Sequence, residues 1–423
     1  AVSIVVITLL LIIVLTTAYA AIKLSVNKPV NDLKQKLVFG ADFSVGKVLL
    51  LAQFAISAIC MAVTLVVASQ VHFVETKDLG FDRTHVVALV MPDEYPAEKV
   101  DVLKNELKNL AGVQDVSYSY YLVTGVPYTK DWYNVETGNT MKRIQLNEVF
   151  VDHGFFKTMG IEILAGRGFD IKNSNDSKTA FIVNETAVRE FGWDEPIGKR
   201  ISFGYGESTE EKWEGTVVGV AKDFNTRSLH SKIEPLVMRL QYDSWPGMFL
   251  NIKVNGETKE AIAAIKSQYE KVLPGYVMEY KVLEEVYSNQ YQDETRALNA
   301  LQFGTWIVLL ISSFGIISLS LFMSLKRMKE FGIRKVLGAT VRQIAFLHIS
   351  YFLRIAGSAC LVALPFSYWV TEQWLNGFAY RIESGALTYL IVPITLVLLV
   401  IVSTVYSALK ASKMNPVEAI KSE

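Results

Sequence analysis

Few residues in this sequence are placed to do covalent chemistry. The five histidines, His72, His85, His153, His230 and His348, never fall at the H-x-x-x-H spacing that brings two imidazoles onto one helix face, so a metal site is not expected. Cys60 and Cys360 each sit inside an apolar run, where a thiol packs as a small hydrophobe; they form neither a C-x-x-C pair nor a disulfide framework. Gly192-Trp-Asp-Glu-Pro-Ile-Gly198-Lys199-Arg200 has the outline of a phosphate loop, but five residues separate the glycines where four are required. Arg200 also stands where a magnesium-binding Ser or Thr must be, so the segment reads as a Gly/Pro turn with solvated bases. No Gly-x-Ser-x-Gly elbow is present. The sequence shows no means of hydrolysing ATP or a peptide, and no cofactor or nucleic-acid partner is expected.

What remains is a set of basic residues whose meaning depends on the elements that carry them. The chain of 423 residues has 42 basic and 42 acidic side chains, a net charge of zero, but the charges are segregated. Residues 71–300 hold 35 acids and 26 bases, a net of −9, and the two flanks hold 7 acids and 16 bases, a net of +9. An acidic middle between apolar, basic flanks excludes one uniform cytosolic domain, and 51% hydrophobic residues exclude a disordered chain.

The flanks supply five expected membrane spans. Ala1–Ile22, Val48–Val71, Phe303–Met323 and Ala386–Leu409 are free of charge, and Ile344–Val370 is as long but carries Arg354. Each can cross about 30 Å of hydrocarbon at about 1.5 Å per helical residue. Arg354 is expected to snorkel or pair locally rather than to line a polar path. Threading five spans with 71–300 on one side leaves Lys23, Lys28, Lys34, Lys36, Lys47, Lys326, Arg327, Lys329, Arg334, Lys335, Arg342, Lys410, Lys413 and Lys421 on the other, which the positive-inside rule makes cytoplasmic. Trp306, Trp369 and Trp374 then flank the outside domain as interfacial aromatics.

The two ends resemble each other. Tyr19–Lys34 aligns without gaps to Tyr406–Lys421 with seven identities in sixteen, each copy following an apolar run. An internal repeat accounts for the matching register, which a generic basic helix exit does not. On this reading 1–22 is the last helix of a preceding repeat, 23–47 a cytoplasmic linker, 48–71 the first span of a new unit, and 301–423 its remaining three spans.

The outside domain, 72–300, has two strand–helix–strand units: Val86–Met91, Ala97–Leu110 and Val113–Tyr120, then Phe249–Val254, Thr258–Leu273 and Tyr276–Leu283. Held apart by an insertion, they point to a split, ferredoxin-like α+β subdomain over 72–125 and 247–300. The insertion, 150–245, reads as mostly β from Phe181-Ile-Val, Ile197–Ser202 and Thr216–Ala221. Leu283–Leu301 reads as a stalk helix running into the third span, with Gln70–Lys77 extending the second.

In the cytoplasmic segment Lys329–Ile344, the side chains Ile333, Val336, Leu337, Val341 and Ile344 recur at helical spacing while Arg334, Lys335 and Arg342 lie off that stripe. A short amphipathic helix results, along the membrane or against a partner. Composition alone does not decide whether its bases dock a partner or only fix topology. Glu330-x-Gly332-Ile333-Arg334-Lys335-x-Leu337-Gly338-Ala339-Thr340 is similar to the signature of the FtsX-like, MacB-type ABC transporter permeases, at the loop that in that family meets the ATPase. Gly160-Ile161, Leu164–Phe169, Val183–Ala187, Asp194–Lys199 and Val217–Asp223 resemble the family's periplasmic core, and Met414–Ile420 its ending. The amino-terminal repeat resembles the duplicated permeases of Bacteroidetes-like bacteria, of which this chain matches the C-terminal half.

The resemblance implies an integral, α-helical inner-membrane permease subunit, four of its spans forming one repeat, with a large periplasmic α+β domain and no catalysis of its own. A cytoplasmic ABC ATPase would bind the ATP and press on 325–344 through Glu330, Gly332, Ile333, Arg334, Lys335, Leu337, Gly338, Ala339, Thr340 and Arg342. The stroke would pass through the third span and stalk to the periplasm, as mechanotransmission. Implied partners are that ATPase, membrane lipid, a second repeat or homologous permease, and a periplasmic adaptor or effector. Efflux or lipoprotein release, and regulation of a cell-wall hydrolase or sensor kinase, both stay open; a membrane-anchored periplasmic enzyme does not fit the lack of a nucleophile and base.

Overall fold

The computed structural model describes residues 41–92, 97–125, 128–173, 175–203, 213–240, 249–383 and 385–413. The expected span 1–22 and the first copy of the repeat, 19–34, lie outside these residues, and of the second copy only 406–413, at the end of the last helix, are described.

Helix α1 (Ala41–Thr76) leads into strand β1 (Val86–Val90), helix α2 (Ala97–Lys108) and strand β2 (Val113–Ser119), then the hairpin β3 (Thr129–Thr137) and β4 (Thr140–Val151). There follow α3 (Phe155–Met159), β5 (Ile163–Gly166), α4 (Asp176–Thr179), β6 (Ala180–Asn184), α5 (Glu185–Phe191), β7 (Arg200–Phe203), β8 (Trp213–Ala221) and β9 (Leu236–Leu240). β10 (Phe249–Val254), α6 (Thr258–Val272) and β11 (Glu279–Val282) precede five helices: α7 (Leu283–Asn289), α8 (Gln292–Lys326), α9 (Met328–Val336), α10 (Val341–Leu375) and α11 (Ala386–Lys413).

Among the described residues four helices are long and apolar enough to cross a membrane: Gly46–Thr76, Gln292–Lys326, Val341–Leu375 and Ala386–Lys410. They contain the runs 48–71, 303–323, 344–370 and 386–409. Arg354 is exposed and its Nε donates to the Ser350 carbonyl one turn earlier at 3.3 Å. The stalk departs from one smooth helix. Gln290 and Tyr291 bond back three residues, to Tyr287 and Ser288 at 3.1 Å each, so the chain tightens for a turn before α8 begins.

The chain divides into two compact units. One holds the described residues up to Cys60 with Trp306–Pro365 and the part from Leu390. It is helical, and its interior is stitched by small polar groups: Ser57 to Ser312 at 2.7 Å, and Gly315 packed so closely on Gln53 that a Cβ there would lie 2.6 Å from the amide oxygen.

The other unit, Met61–Thr305 with Phe366–Tyr389, carries the sheet. Among its described residues eleven strands are linked by hydrogen bonds. A wing of four, in the order β11-β1-β10-β2, is antiparallel throughout. Its helices α2 and α6 cover one face, where Val100, Leu103, Leu107, Ile265, Tyr269 and Leu273 bury against Val87, Leu89, Leu250 and Ile252. The alternate residues Val86 and Ala88 are buried on the opposite face, which explains why β1 reads as an unbroken apolar run.

The wing joins the rest through the pair Ser119↔Val151. From there β4-β3-β7-β8-β6-β9 follow in order, and β9 returns to pair with β4 from Asn147↔Leu236 to Val151↔Leu240. The six strands thus close a ring, which leaves no open edge among them. The ring includes the hairpin 129–151, upstream of the expected β-rich segment 150–245. Its inner face buries Tyr133, Leu146, Phe181, Val183, Ile201, Val217 and Val237, under α5 with Phe191 and Trp193. β5 lies outside, against β8, where backbones approach closely. A Cβ on Gly166 would sit 2.2 Å from the Val218 oxygen, and one on Gly219 would sit 2.2 Å from the Arg167 oxygen.

Candidate functional site

The basic segment 328–344 is an elbow of two helices rather than one amphipathic rod. Helix α9 stops at Val336 because Gly338 takes φ +92°, and its end is closed by Gly338 N to Lys335 O at 3.1 Å and Ala339 N to Arg334 O at 2.9 Å. Thr340 then starts α10 with a reciprocal cap: Thr340 N donates to Gln343 Oε1 at 2.9 Å, and Gln343 N donates to Thr340 Oγ1 at 3.3 Å. The two motifs set the angle of the elbow.

The break redistributes the apolar stripe. Of its five members Ile344 is buried, while Ile333, Val336 and Leu337 are 54%, 66% and 81% exposed and Val341 is partly covered. The contact holding α9 is instead Phe331, which packs on Ile344 with Ala339 and Leu347 beside it, and Gly332 is buried next to it. The elbow therefore presents an exposed surface of three large apolar side chains with Arg334 and Arg342. Glu330 pairs with Arg334 at 2.8 Å, and Lys335 is partly buried. Exposed apolar groups beside arginine suit either a protein contact or the membrane surface.

Beneath the elbow lies a buried polar cluster. Phe331 meets the His348 ring edge-on at 6.2 Å, His348 Nε2 is 2.7 Å from Ser320 Oγ, and Ser320 Oγ bonds to Ser407 Oγ. Helices α8, α10 and α11 are tied together there by side chains that spacing alone did not single out.

The other unit contains a second constellation, where α1 and the loop 376–385 meet the sheet connections. Gln70 is fully buried near the end of α1; its Nε2 donates to the Tyr380 carbonyl at 3.1 Å and its Oε1 accepts from Ile382 N at 2.9 Å. Ala379 N and Tyr380 N both donate to the Leu229 carbonyl, at 3.0 and 3.1 Å. Leu229 N donates to Tyr291 OH at 2.6 Å, Tyr287 OH donates to the Val74 carbonyl at 2.9 Å, and His230 stacks on Phe378 at 4.0 Å with Nε2 3.4 Å from Glu294. Burial raises the phenol pKa of both tyrosines, so they stay neutral. A polar residue inside an apolar run is the available signal for Gln70, and Tyr291 lies at helical spacing in the stalk with Leu283 and Leu298; nothing in the pattern marks Tyr287 or brings His230 to them.

Other segments singled out by sequence turn out to be scaffolding. Gly192 caps α5, Trp193 Nε1 donates to the Glu136 carbonyl at 2.6 Å, and Lys199 and Arg200 pair with the Glu136 carboxylate at 3.3 and 3.2 Å, so these bases are paired rather than simply solvated. In Val183–Ala187 and Val217–Asp223, Asn184 caps α5 through Ala187 N at 3.1 Å, and Asp223 accepts from Thr186 N and Arg189 Nη2 at 2.9 Å each. Among the described residues no three His, Cys, Asp or Glu side chains group as a metal site.

Comparison with known proteins decides the family. The MacB-like periplasmic core domain profile matches residues 50–270, more than half of the chain, and the FtsX-like permease C-terminal profile matches 303–416, across the elbow and the last three long helices. The chain belongs to the MacB-type, FtsX-like permeases. The periplasmic region of MacB from Actinobacillus actinomycetemcomitans is similar at 13% identity, covering 52% of this chain and 98% of that one, with a TM-score of 0.35. The extracellular domain of the noncanonical ABC-type transporter YknZ from Gram-positive bacteria is similar at 15% identity, 47% and 98% coverage and a TM-score of 0.31. No curated protein sequence matches the chain. An FtsX-like permease of this type is the membrane subunit of an ABC transporter, typically non-catalytic, with a periplasmic domain; membership implies a cytoplasmic ATPase as its partner.

Proposed function

We propose that this permease couples ATP hydrolysis by a separate cytoplasmic ATPase to a movement of its periplasmic domain that exports or releases a substrate. The observation that carries the reading is the exposed face of the elbow, Ile333, Val336 and Leu337 with Arg334 and Arg342, a surface with the makeup of a protein contact. The ATPase docks on residues 325–344, with Glu330 and Lys335 at the rim, and Gly338, Ala339 and Thr340 keep the angle between α9 and α10. Nucleotide closure moves α9. Phe331 carries that displacement into the His348–Ser320–Ser407 cluster and so into α8, which runs unbroken from Lys326 to Gln292, next to Tyr291. No cofactor is needed in the chain itself.

Several finer assignments belong with this reading. The four-stranded wing is taken as the split ferredoxin-like subdomain, supported by its order β11-β1-β10-β2 with both helices on one face, and the ring as the inserted β subdomain. The elbow is taken as cytoplasmic and the membrane as the inner one. A second repeat or a homologous permease completes the pair.

Purified full-length permease should co-elute with its ATPase, and Arg334→Glu with Lys335→Glu should weaken that association at least tenfold, equivalent to about 1.4 kcal/mol. Unchanged association and unchanged coupled turnover would remove the elbow from the mechanism. ATP-driven motion of the periplasmic domain without any exported ligand would assign the chain to the regulator form of the family instead.

A further inference from the structure

Beside the Gln70 clamp a polar cleft of about 640 Å³ opens between the ends of α1 and α10 and the loop that follows α10. Phe73, Lys77, Tyr368, Glu372, Arg381 and Glu383 line it. Its depth in the bilayer follows from the helices that make it. The apolar runs end at Val71 and Val370, and Lys77 and Glu372 follow within two helical turns, so the cleft opens where the spanning segments leave the hydrocarbon. Just inside that level Phe366, Tyr368 and Trp369 are 49%, 51% and 59% exposed, the aromatic belt of a bilayer interface.

The charges in the cleft are balanced and unequally engaged. Arg381 Nη1 is 3.2 Å from Glu372 Oε2 and donates to Asn376 Oδ1 at 2.7 Å, so this pair is closed on itself. Lys77 Nζ is held over two rings, 5.3 Å from the centroid of Phe73 and 5.0 Å from that of Tyr380. Glu383 is exposed in the loop. A pre-positioned ammonium and an exposed carboxylate in one cleft match a ligand carrying one negative and one positive group. At headgroup depth, beside exposed aromatic rings, that ligand has an apolar part that stays in the bilayer.

We propose that this cleft binds the headgroup of a zwitterionic phospholipid with a primary ammonium, a phosphoethanolamine lipid, its phosphate on Lys77 and its ammonium on Glu383. The choice over a choline headgroup rests on hydrogen bonding: an ammonium offers three N–H donors to a carboxylate and a trimethylammonium offers none. The choice over an anionic lipid rests on Glu383, the carboxylate outside the Arg381–Glu372 pair, which repels a second negative charge. The bound lipid would fasten the loop 376–385 from the membrane side, as Gln70 and Leu229 fasten it from the protein side. The inference rests on the chain spanning a membrane and is independent of how the elbow couples.

The test is lipid retention by the purified full-length chain, measured by native mass spectrometry from mixed micelles containing equal phosphatidylethanolamine, phosphatidylcholine and phosphatidylglycerol. Wild type should retain phosphatidylethanolamine over each of the others by roughly tenfold, the scale of one charged hydrogen bond. Glu383→Gln should lower phosphatidylethanolamine to the phosphatidylcholine level without changing the latter, and Lys77→Ala should lower both. Both side chains lie in the open cleft, so an unchanged melting temperature is the check that each variant is folded. Equal retention of the three lipids, a preference for phosphatidylglycerol, or insensitivity to Lys77→Ala would overturn the assignment. So would displacement of the lipid by soluble O-phosphoethanolamine at comparable concentration, which would make the ligand a free phosphate ester rather than a membrane lipid.

Discussion

The Gln70 amide accepts a hydrogen bond from Ile382 N at 2.9 Å and, with its other end, donates to the Tyr380 carbonyl, while its side chain is fully buried. One side chain thus satisfies a donor and an acceptor of the loop following α10, which also bonds to Leu229. Gln70→Leu preserves size and leaves both backbone groups without their partner, at a cost of about 1–3 kcal/mol. The expected result is a lowered melting temperature and a large loss of coupled ATP turnover with ATPase binding retained, since the elbow is untouched.

Gly338 sets the elbow by adopting φ +92°, a conformation that costs an L side chain about 1–2 kcal/mol. Gly338→Val should therefore shift the angle between α9 and α10 and reduce coupled turnover more than stability. Gly338→Asn, whose side chain tolerates the left-handed region, should retain most of it. Turnover assays on the two variants side by side check this, and equal loss in both would contradict it.

Arg167 clasps Asp176 with two bonds, at 2.5 and 2.7 Å, and the Asp176 side chain is only 2% exposed. Burial works to raise this carboxyl, but the Arg167 hydrogen bond, the Asp170 N–H and the guanidinium charge outweigh it and hold the pKa below the usual value. The stability this contributes is present at neutral pH and is lost as pH falls through the lowered pKa. Arg167→Ala leaves the buried carboxylate with only the Asp170 N–H and the Asn173 amide as donors and should cost about 1–2 kcal/mol, and Asp176→Asn added to it should restore part of the loss. A double-mutant cycle by thermal unfolding measures the coupling.

Glu148 points into the ring with 8% of its side chain exposed, 3.8 Å from Arg239, whose guanidinium lies over Phe150, Phe181 and Phe203. Burial outweighs the attraction of Arg239 and pushes its pKa up to about 7. Below about pH 4.5 the carboxyl is protonated folded and unfolded, and its contribution to stability is complete. As pH rises to 7 the unfolded chain releases the proton first, so stability declines, by about 3 kcal/mol in all, and is then flat. Glu148→Gln should abolish that slope, as read from melting temperatures between pH 5 and 8.

How much could be read from sequence varied with the signal each element carries. The strand at 249–254 and the helices near 97–108 and 258–272 are legible because one apolar face repeats cleanly, as with Val100, Leu103 and Leu107. The hairpin 129–151 is not, although Gly138-Asn139 is a strong two-residue turn signal. Its outward face carries Trp132 and its inward register begins with the exposed Lys142, opposite Val135, so the alternation is blurred on both faces. In the elbow, helical spacing runs from Ile333 to Ile344 and suggests one rod, but the conformational freedom of Gly338 overrides it and leaves Phe331, outside the stripe, as the buried anchor. The Gln70 clamp joins residues more than three hundred positions apart, and no local pattern encodes such a contact.

The central claim is that a stroke at the elbow reaches the periplasmic loop. Hydrogen–deuterium exchange at Ala379, Tyr380 and Ile382, whose amides bond to Leu229 and Gln70, reads that loop directly. In the complex of full-length permease and ATPase, the account predicts that ATP changes exchange at these amides in wild type and not in Arg334→Glu, Lys335→Glu. Exchange that is identical with and without ATP, in a complex that still binds and hydrolyses it, would contradict the account.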